Sequence, residues 1–308
     1  MLSRIAESLF WIGRYIERAD GTARILDVHL ERLNQMPLRQ QRQASRELLA
    51  VMGARPDTED FGLPQLLHRM AYDTTNATSI SGSLGAAREN ARRARETVSA
   101  AVWETLNTTW YGMSQHRKDV VGTFRFCHWA LERTAMVRGS AESTMSHDES
   151  WQFLMLGRSL EQADMTARML STAETQGGGL SWVTMLRCAG AYESFLRTRR
   201  AAFDERYAAE FLLLDRLFPR SIVHSLGVAE RTLQELDPTT QRVGFQSDAR
   251  RIVGQVRSFL EFHEPENLIH VLPELTDRVQ KAVAQASNSI SRKYFSPAAD
   301  AAWVGENS

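Results

Sequence analysis

Apolar residues recur along most of the chain with the spacing of an amphipathic α-helix. Within residues 8–30, one arc of a helical wheel at about 100° per residue carries Trp11, Ile12, Tyr15, Ile16, Ala19, Ala23, Leu26 and Leu30. Residues 152–172 show the same period, and the alternation typical of strands is almost absent. The eight prolines cluster at breaks between helical segments, which fall near 53–64, 111–122, 177–179 and 237–244. The pattern predicts an all-α helical bundle of about ten helices.

One charged helical segment occurs twice in the chain. The sequence GRYIERADGTARIL at 13–26 returns as GRSLEQADMTARML at 157–170, and aligning 10–26 with 154–170 gives nine identities in seventeen positions. A weaker match joins 79–87 to 221–229 at nearly the same offset. We therefore predict two tandem repeats of about five helices each, spanning 1–146 and 147–295. A loose tail is expected at 296–308.

Charged residues occupy the arc opposite the apolar one in both copies of this segment. These residues, named here the charged stripe, are Arg14, Glu17, Arg18, Asp20 and Arg24 in the first copy and Arg158, Glu161, Asp164 and Arg168 in the second. An exposed ladder of ion pairs would tolerate almost any polar residue. The two copies differ at most other polar positions yet keep four charges in register. We favour a buried, mutually paired network, and a partner or ligand surface and a catalytic site remain as alternatives.

Composition narrows the classes of function that need to be considered. Lys plus Arg and Asp plus Glu number 37 each, so no overall charge draws the chain to nucleic acid or to an anionic membrane. No apolar run approaches the length of a membrane span, and the N-terminus lacks the features of a signal peptide. Cys127 and Cys188 lie in apolar helical contexts, which favours buried free thiols. We expect a cytoplasmic protein that binds neither nucleic acid nor membrane.

Motifs for metal, nucleotide or nucleophilic chemistry are weak. The helical i,i+4 pairs suited to a metal are His128 with Glu132 and Glu266 with His270, and neither recurs in the other half. The chain has no P-loop, no Gly-x-Gly-x-x-Gly and no Gly-x-Ser-x-Gly, and the triple glycine 177–179 is expected to form a turn. We expect no metal site and no cofactor.

The sequence resembles the alpha-E family, bacterial α-helical proteins named for a Glu-Arg motif and typically built as a tandem duplication. The first copy carries this motif as Glu17-Arg18, whereas the second has Glu161-Gln162. The resemblance rests on MLSRIAESLFWIGRYIERAD (1–20), SISGSLGAARENARRARETVSAAVWETLN (79–107), TMSHDESWQFLMLGRSLEQADMTARML (144–170) and EFLLLDRLFPRSI (210–222).

The second of these blocks contains a row of arginines that is a further candidate site. Arg88, Arg92 and Arg95 fall within about 60° of one helix face, and arginines so arranged can grip phosphate or carboxylate groups. A solvated or internally paired face is the favoured interpretation, with an anion-binding or partner-binding site as the alternative. The candidate residues are Arg88, Glu89, Asn90, Arg92, Arg95, Glu96 and Trp103.

The resemblance also implies a functional context. Proteins of this kind look like members of a peptide synthesis or modification system that includes circularly permuted ATP-grasp ligases, a transglutaminase-like peptidase and a proteasome-related Ntn-hydrolase. We predict a non-catalytic accessory or binding subunit of such a system. The alternative is an amide-forming or amide-cleaving enzyme in which Glu17 and Glu161 act as acid/base groups and arginines hold a substrate carboxylate. The sequence leaves homo-oligomerisation open.

Overall fold

Helices supply the regular secondary structure of this protein. The computed structural model describes residues 1–56, 59–173, 181–198, 204–238, 247–263 and 268–296, and no strand occurs within these ranges. The α-helices described are α1 (Ser3–Asn34), α2 (Leu38–Val51), α3 (Leu63–Leu67), α4 (Ile80–Arg93), α5 (Ala100–Gly112), α6 (Val120–Thr144), α7 (Glu149–Leu170), α8 (Trp182–Cys188), α9 (Tyr192–Thr198), α10 (Glu205–Leu214), α11 (Ile222–Leu236), α12 (Asp248–Glu261) and α13 (Leu268–Ile290). The predicted all-α class is confirmed, as is helix at 8–30, and α7 covers all but the end of 152–172.

Short polar side chains fix where many of these helices begin. Ser79, Ser99 and Asp119 each accept a hydrogen bond from a backbone N–H in the first turn of α4, α5 and α6. Asp148 does the same for α7, and Ser221 does it for α11. Such caps satisfy amides that have no partner inside the helix.

The two long helices α1 and α7 lie at the centre of the fold. Helix α1 packs on α7, α4 and α6, while α7 packs on α1, α11 and α13. Helix α5 covers α4 and α6, and α12 covers α11 and α13. Because α1 and α7 are surrounded in this way, several polar side chains in their middle turns are buried, among them Glu17, Asp20 and Glu161.

Two glycines allow the backbones of α1 and α7 to touch. A Cβ added to Gly13 would overlap the carbonyl oxygen of Leu154, and a Cβ added to Gly157 would overlap the carbonyl oxygen of Phe10. The contact is reciprocal, because these pairs occupy matching positions in the two copies of the charged segment. Both glycines belong to that segment, so the close approach brings the two charged stripes together.

Several local expectations from the sequence need correction. The arc assigned to the core includes Trp11 and Tyr15, which are only half-buried and stack on each other with ring centroids 5.2 Å apart. Helix α4 ends at Arg93, so Arg95 and Glu96 lie in the following turn and do not continue the helical face of Arg88. Pro273 lies inside α13 and does not mark a break.

Some predicted features fall outside the described ranges. These are the triple glycine 177–179, most of the break at 237–244 and all of the predicted tail except Ser296. Among the residues that are described, no helix combines the length and apolar character needed to cross a membrane.

Candidate functional site

The first node of the charged stripe is the carboxylate of Glu161 on α7. Arg18 on α1 donates to it through Nε and Nη2, at 2.5 Å to Oε1 and 3.0 Å to Oε2. Arg14 Nε lies 2.5 Å from Oε2 of the same carboxylate, and its Nη1 donates to Ser287 Oγ at 3.1 Å. Only 1% of the Glu161 side chain is exposed. Two arginines of one helix thus neutralise a buried glutamate of the other.

The second node joins Glu17 and Asp20 on α1. Arg220, just before α11, places Nη2 2.7 Å from Glu17 Oε1 and 2.6 Å from Asp20 Oδ2. Arg138 on α6 places Nη1 3.0 Å from Asp20 Oδ1, and Arg24 donates through Nε to Oδ2 at 2.8 Å. Both carboxylates are buried, and their charge is balanced by arginines from three separate parts of the chain.

A longer contact links the two copies of the stripe in the opposite direction, from an arginine of α7 to a glutamate of α1. Arg158 Nε lies 3.4 Å from Glu17 Oε2, which matches the contact of Arg14 with Glu161 at the corresponding positions. In the rest of the second stripe, Arg168 donates to Asp164 within α7 at 2.7 Å. The members of the charged stripe are paired and largely buried in the structure, and Arg18, Arg24, Arg158 and Arg168 retain partial exposure.

The electrostatics favour the ionised forms of Glu161 and Asp20. Burial by itself would raise the pKa of Glu161, but Arg14 and Arg18 hold it below its ordinary value. The pKa of Asp20 is likewise lowered, because Arg220, Arg138 and Arg24 outweigh the effect of burial. Against the effect of its own burial, the two carboxylates near Arg220 raise the pKa of its guanidinium. Buried charges of this kind are held by their partners, and removal of one partner is costly.

A small cavity lies beside the second node. Its volume is about 20 Å³, and Glu17, Gln162, Thr166, Cys188 and Arg220 are among the residues that line it. Gln162 Nε2 and Glu17 Oε2 are buried there with no hydrogen-bond partner within the described residues. A cavity of this size accommodates roughly one water molecule. Within the part of the chain that the structure describes, this cavity beside Glu17 is too small for a substrate.

The arginine row does not form one continuous face. The Arg88 guanidinium lies 5.7 Å from each of the ring centroids of Trp103, Trp110 and Tyr111. Its Nε also donates to Asn107 Oδ1 at 2.9 Å. Arg88 is therefore held in an aromatic cluster between α4 and α5, an arrangement in which the ring faces attract the cation.

The remaining members of the row lie closer to solvent. Arg92 donates to both oxygens of Glu89, at 2.9 and 2.7 Å, and this pairing lowers the pKa of Glu89 to about 2. Arg95 lies over Trp103 at 5.7 Å, and Asn90 donates to the Ala86 carbonyl. Arg92, Arg95 and Glu96 are exposed, so this end of α4 presents a mixed charged surface.

Other candidate chemistries find little support in the arrangement of side chains. Both cysteines are free and buried, and burial raises the pKa of each thiol, to about 12 for Cys188. His128 contacts Asp27, at 3.2 Å, and no contact with Glu132 is seen. Within the described ranges, which leave out Glu266, no group of three or more His, Cys, Asp or Glu side chains is placed to bind a metal ion.

The structure defines an all-α protein whose two central helices, α1 and α7, are joined by ion pairs between Glu and Arg side chains. The model of the Alpha-E family, described as a predicted alpha-helical domain with a conserved ER motif, matches residues 1–295, and the chain belongs to this family.

Comparison with curated proteins gives relatives without an assigned activity. Uncharacterised proteins of Mycobacterium tuberculosis and Mycobacterium bovis are 23% identical over 299 residues, covering 87% of this chain and 33% of the relatives. The chain thus spans about a third of the length of the relatives it matches. No solved structure matches it.

Sequence reasoning missed three members of the network, Arg138, Thr134 and Arg220. Thr134 donates to Asp20 Oδ1 at 2.9 Å, beside Arg138. Arg220 lies in the segment EFLLLDRLFPRSI, whose charged end next to an apolar helix was a usable signal. Arg138 could not be identified from the sequence in this way. A single arginine within the apolar pattern of a helix is also typical of a surface position.

Proposed function

We propose that this chain is a non-catalytic accessory or binding subunit of an ATP-grasp-dependent peptide synthesis or modification system. The observation that carries the proposal is the enclosure of Glu17 and Glu161 between helices, each held by guanidinium groups. A Glu-Arg motif used in this way stabilises the helical fold, which we call the scaffold. The function of the protein then depends on the surface that this scaffold presents to a partner.

The enzyme alternative requires carboxylates that can exchange protons with a substrate. A general base must lie within hydrogen-bond reach of the proton that it removes, in a site that admits the substrate. Glu161 is 1% exposed and its pKa is lowered by Arg14 and Arg18, and the cavity beside Glu17 has a volume of only about 20 Å³. These features favour the accessory subunit over an amide-forming or amide-cleaving enzyme.

We also propose that the scaffold arose by tandem duplication. The register that aligns Ser79 with Ser221 also aligns Thr78 with Arg220. Thr22 donates to the carbonyl of Thr78 at 3.4 Å, and Thr166, its counterpart, donates to the carbonyl of Arg220 at 2.9 Å. Together with the reciprocal contacts of Gly13 and Gly157, these bonds support repeats at 1–146 and 147–295.

The proposed partner is a circularly permuted ATP-grasp ligase-type protein of the cytoplasm. A transglutaminase-like peptidase and a proteasome-related Ntn-hydrolase would belong to the same system. The matched relatives are about three times as long as the region shared with this chain, which is consistent with a module that works beside further domains. The exposed Arg92 and Arg95 at the end of α4 are the surface proposed for docking.

A binding experiment tests the proposal directly. The purified chain is titrated calorimetrically into a co-encoded ATP-grasp protein, and ATP turnover is measured for each protein alone and for the mixture. We expect binding at tens of micromolar or tighter, with no ATP hydrolysis or peptide-bond chemistry by this chain alone. Catalysis by the isolated chain would contradict the accessory role and favour the enzyme alternative. Absence of binding would show that the ATP-grasp protein is not a direct partner of this chain.

A matched pair of charge reversals locates the docking surface. Arg92→Glu breaks an exposed i,i+3 pair with Glu89, and Arg251→Glu on α12 breaks an exposed i,i+3 pair with Asp248. We expect Arg92→Glu to weaken binding, with an effect that diminishes as salt rises, since salt screens exposed charges. Arg251→Glu serves as the control and should leave binding unchanged. Equal effects of the two variants would place docking elsewhere.

A further inference from the structure

An open groove runs between the N-terminal half of α1 and the C-terminal end of α4. Its volume is about 540 Å³, which lies in the range of ligand sites. We call it the α1–α4 groove. The side chains that line it include three arginines and two aromatic residues: Arg4, Arg92, Arg93, Trp11 and Tyr15.

The arginines and the aromatic residues lie towards opposite ends of the groove. Helix α4 begins beside Thr22 and runs back along α1, so its end at Arg93 comes close to the N-terminal end of α1. From Arg4 to Tyr15, the axis of α1 rises about 16 Å. This length equals roughly five residues of an extended peptide at about 3.3 Å each. An elongated ligand with two different ends fits this arrangement.

Several hydrogen-bond donors in the groove are available to a ligand. Among the residues that the structure describes, none forms an ion pair with the Arg4 guanidinium or a hydrogen bond with Trp11 Nε1 or Tyr15 Oη. Arg4 is exposed and the two rings are half-buried, so a ligand can reach all three side chains. Carboxylate groups are the matching acceptors, because an ionised carboxylate only accepts hydrogen bonds.

Positive charge exceeds negative charge along the groove. Of the side chains that line it, three are arginines and one, Glu7, is a carboxylate. Arg92 is already paired with Glu89 on α4. Arg93 has a single long contact, 3.4 Å from its Nε to an oxygen of the same carboxylate, and its side chain is 63% exposed. Arg4 and Arg93 therefore supply the charge that is available to an anion.

The packing of the two helices does not require these residues. Helix α7 packs on α11 as α1 packs on α4, yet the corresponding positions carry different side chains. In the alignments that pair Gly13 with Gly157 and Ser79 with Ser221, the counterparts of Arg4, Trp11 and Arg93 are Asp148, Met155 and Glu235. The basic and aromatic character is thus particular to the first copy, as expected for a binding site and not for a structural contact.

We propose that the α1–α4 groove binds an acidic peptide segment of about five residues that carries an aromatic residue at one end. Its carboxylates pair with Arg4 and Arg93 through charge-assisted hydrogen bonds. Its aromatic side chain packs against the rings of Trp11 and Tyr15. The choice of a peptide rests on the proposed function, whereas the acidic and aromatic character of the ligand follows from the groove alone.

The test uses three peptides that differ at one end each. The first is acetyl-Asp-Asp-Gly-Gly-Trp-amide, the second replaces both Asp by Asn, and the third replaces Trp by Ala. Each is titrated calorimetrically into the full chain. We expect the first peptide to bind at least about fivefold more tightly than the second, the size expected of two exposed ion pairs. It should bind about threefold more tightly than the third, as one aromatic contact predicts.

An NMR titration locates the bound peptide. The chain is labelled with ¹⁵N at tryptophan, and the indole N–H signal of Trp11 is identified by its absence from Trp11→Met. We expect the first peptide to shift this signal, because Trp11 lines the groove. Trp11→Met also installs the side chain of the second copy, and in calorimetry it should bind the first and third peptides equally.

A matched pair of charge reversals tests the basic end. Arg4→Glu should weaken binding of the first peptide at least about fivefold, with a loss that diminishes as salt rises. Arg39→Glu on α2 is the control, because Arg39 is likewise exposed and forms no ion pair within the described residues. It should leave binding unchanged. Circular dichroism confirms that each variant is folded before titration.

Several outcomes would overturn the proposal. These are equal binding of the Asp and Asn peptides, equal effects of Arg4→Glu and Arg39→Glu, or a Trp11 signal that does not move. Pyrophosphate that shifts this signal as strongly as the first peptide at the same ionic strength would show that the groove takes phosphate anions. The ATP-grasp protein is absent from these titrations, so their failure leaves the proposed partner untouched, and failure of that partner to bind leaves the groove untouched.

Discussion

Arg18 on α1 donates to both carboxylate oxygens of Glu161 on α7, at 2.5 and 3.0 Å. Its sequence neighbour Glu17 turns to a different partner, because Arg220 occupies the place beside that carboxylate at 2.7 Å. The two residues of the Glu-Arg pair therefore do not neutralise each other. Each connects α1 to a distant part of the chain, and this makes the pair a determinant of tertiary structure.

Loss of the Glu161 carboxylate should strongly destabilise the protein. Glu161→Gln keeps the size of the side chain but leaves Arg14 and Arg18 buried beside a neutral group. Breaking a buried pair costs about 3–5 kcal/mol, and urea unfolding of the parent and the variant measures the loss. Glu89→Gln is the control, since Glu89 is 41% exposed in its pair with Arg92, and it should move the midpoint much less.

Glu17 allows a comparison of charge with hydrogen bonding. Glu17→Ala removes one of the two carboxylate partners of Arg220 and should lower the free energy of unfolding by about 3–5 kcal/mol. Glu17→Gln retains a hydrogen-bond acceptor for Arg220 and should lose less. Thermal unfolding of the two variants measures the difference. Near-zero effects of both substitutions would contradict a buried network and would favour a solvent-exposed row of ion pairs.

The glycine contact between α1 and α7 should tolerate no side chain. Gly13→Ala places a methyl group on the carbonyl oxygen of Leu154 and forces the helices apart, which should cost at least about 1–3 kcal/mol. Gly139→Ala on α6 is the matched control, because a Cβ there meets nothing within 4 Å. It should stabilise the protein by about 0.5–1 kcal/mol, as expected for alanine in a helix. Urea unfolding measures both.

Restoring the Glu-Arg pair in the second copy should require a compensating change. Gln162→Arg alone adds a cation next to Arg220 and should be destabilising, and Arg220→Thr alone leaves Glu17 and Asp20 with fewer partners. We expect the double variant to be more stable than the sum of the single effects by about 1 kcal/mol or more. A double-mutant cycle measures this coupling. Strict additivity would mean that Gln162 and Arg220 do not share one site.

Stability should fall in acid through the same carboxylates. The folded pKa values of Glu161 and Asp20 lie below their ordinary values of 4.5 and 3.8, so the unfolded chain takes up protons first as the pH drops. Their stabilising contribution is complete above about pH 5 and is lost as the pH falls below it. Urea unfolding between neutral pH and about pH 3 should show a steeper loss in the parent than in Glu161→Gln. Parallel curves would exclude Glu161 as a source of this dependence.

The helices and the burial of the charged stripe could be predicted from the sequence, because both leave a local signature. Apolar periodicity identified α1 and α7, and the retention of Arg14, Glu17 and Asp20 in register indicated a structural constraint. The arginines that complete the network could not be found in this way. Arg138 and Arg220 meet Asp20 only after the chain has folded, and no periodicity connects residues so far apart. The end of α4 before Arg95 was missed because the helical pattern of charges continues past it.

The span of the Arg18–Glu161 and Glu17–Arg220 contacts has a consequence for biosynthesis. They join positions separated by 143 and 203 residues. At an elongation rate of about 5–20 residues per second, the synthesis of α1 is complete roughly 10–40 seconds before Arg220 is made. Until Arg220 is made, Glu17 lacks the guanidinium that lies nearest to it in the folded protein, at 2.7 Å. The contact between Glu17 and Arg220 can therefore form only after translation has passed residue 220.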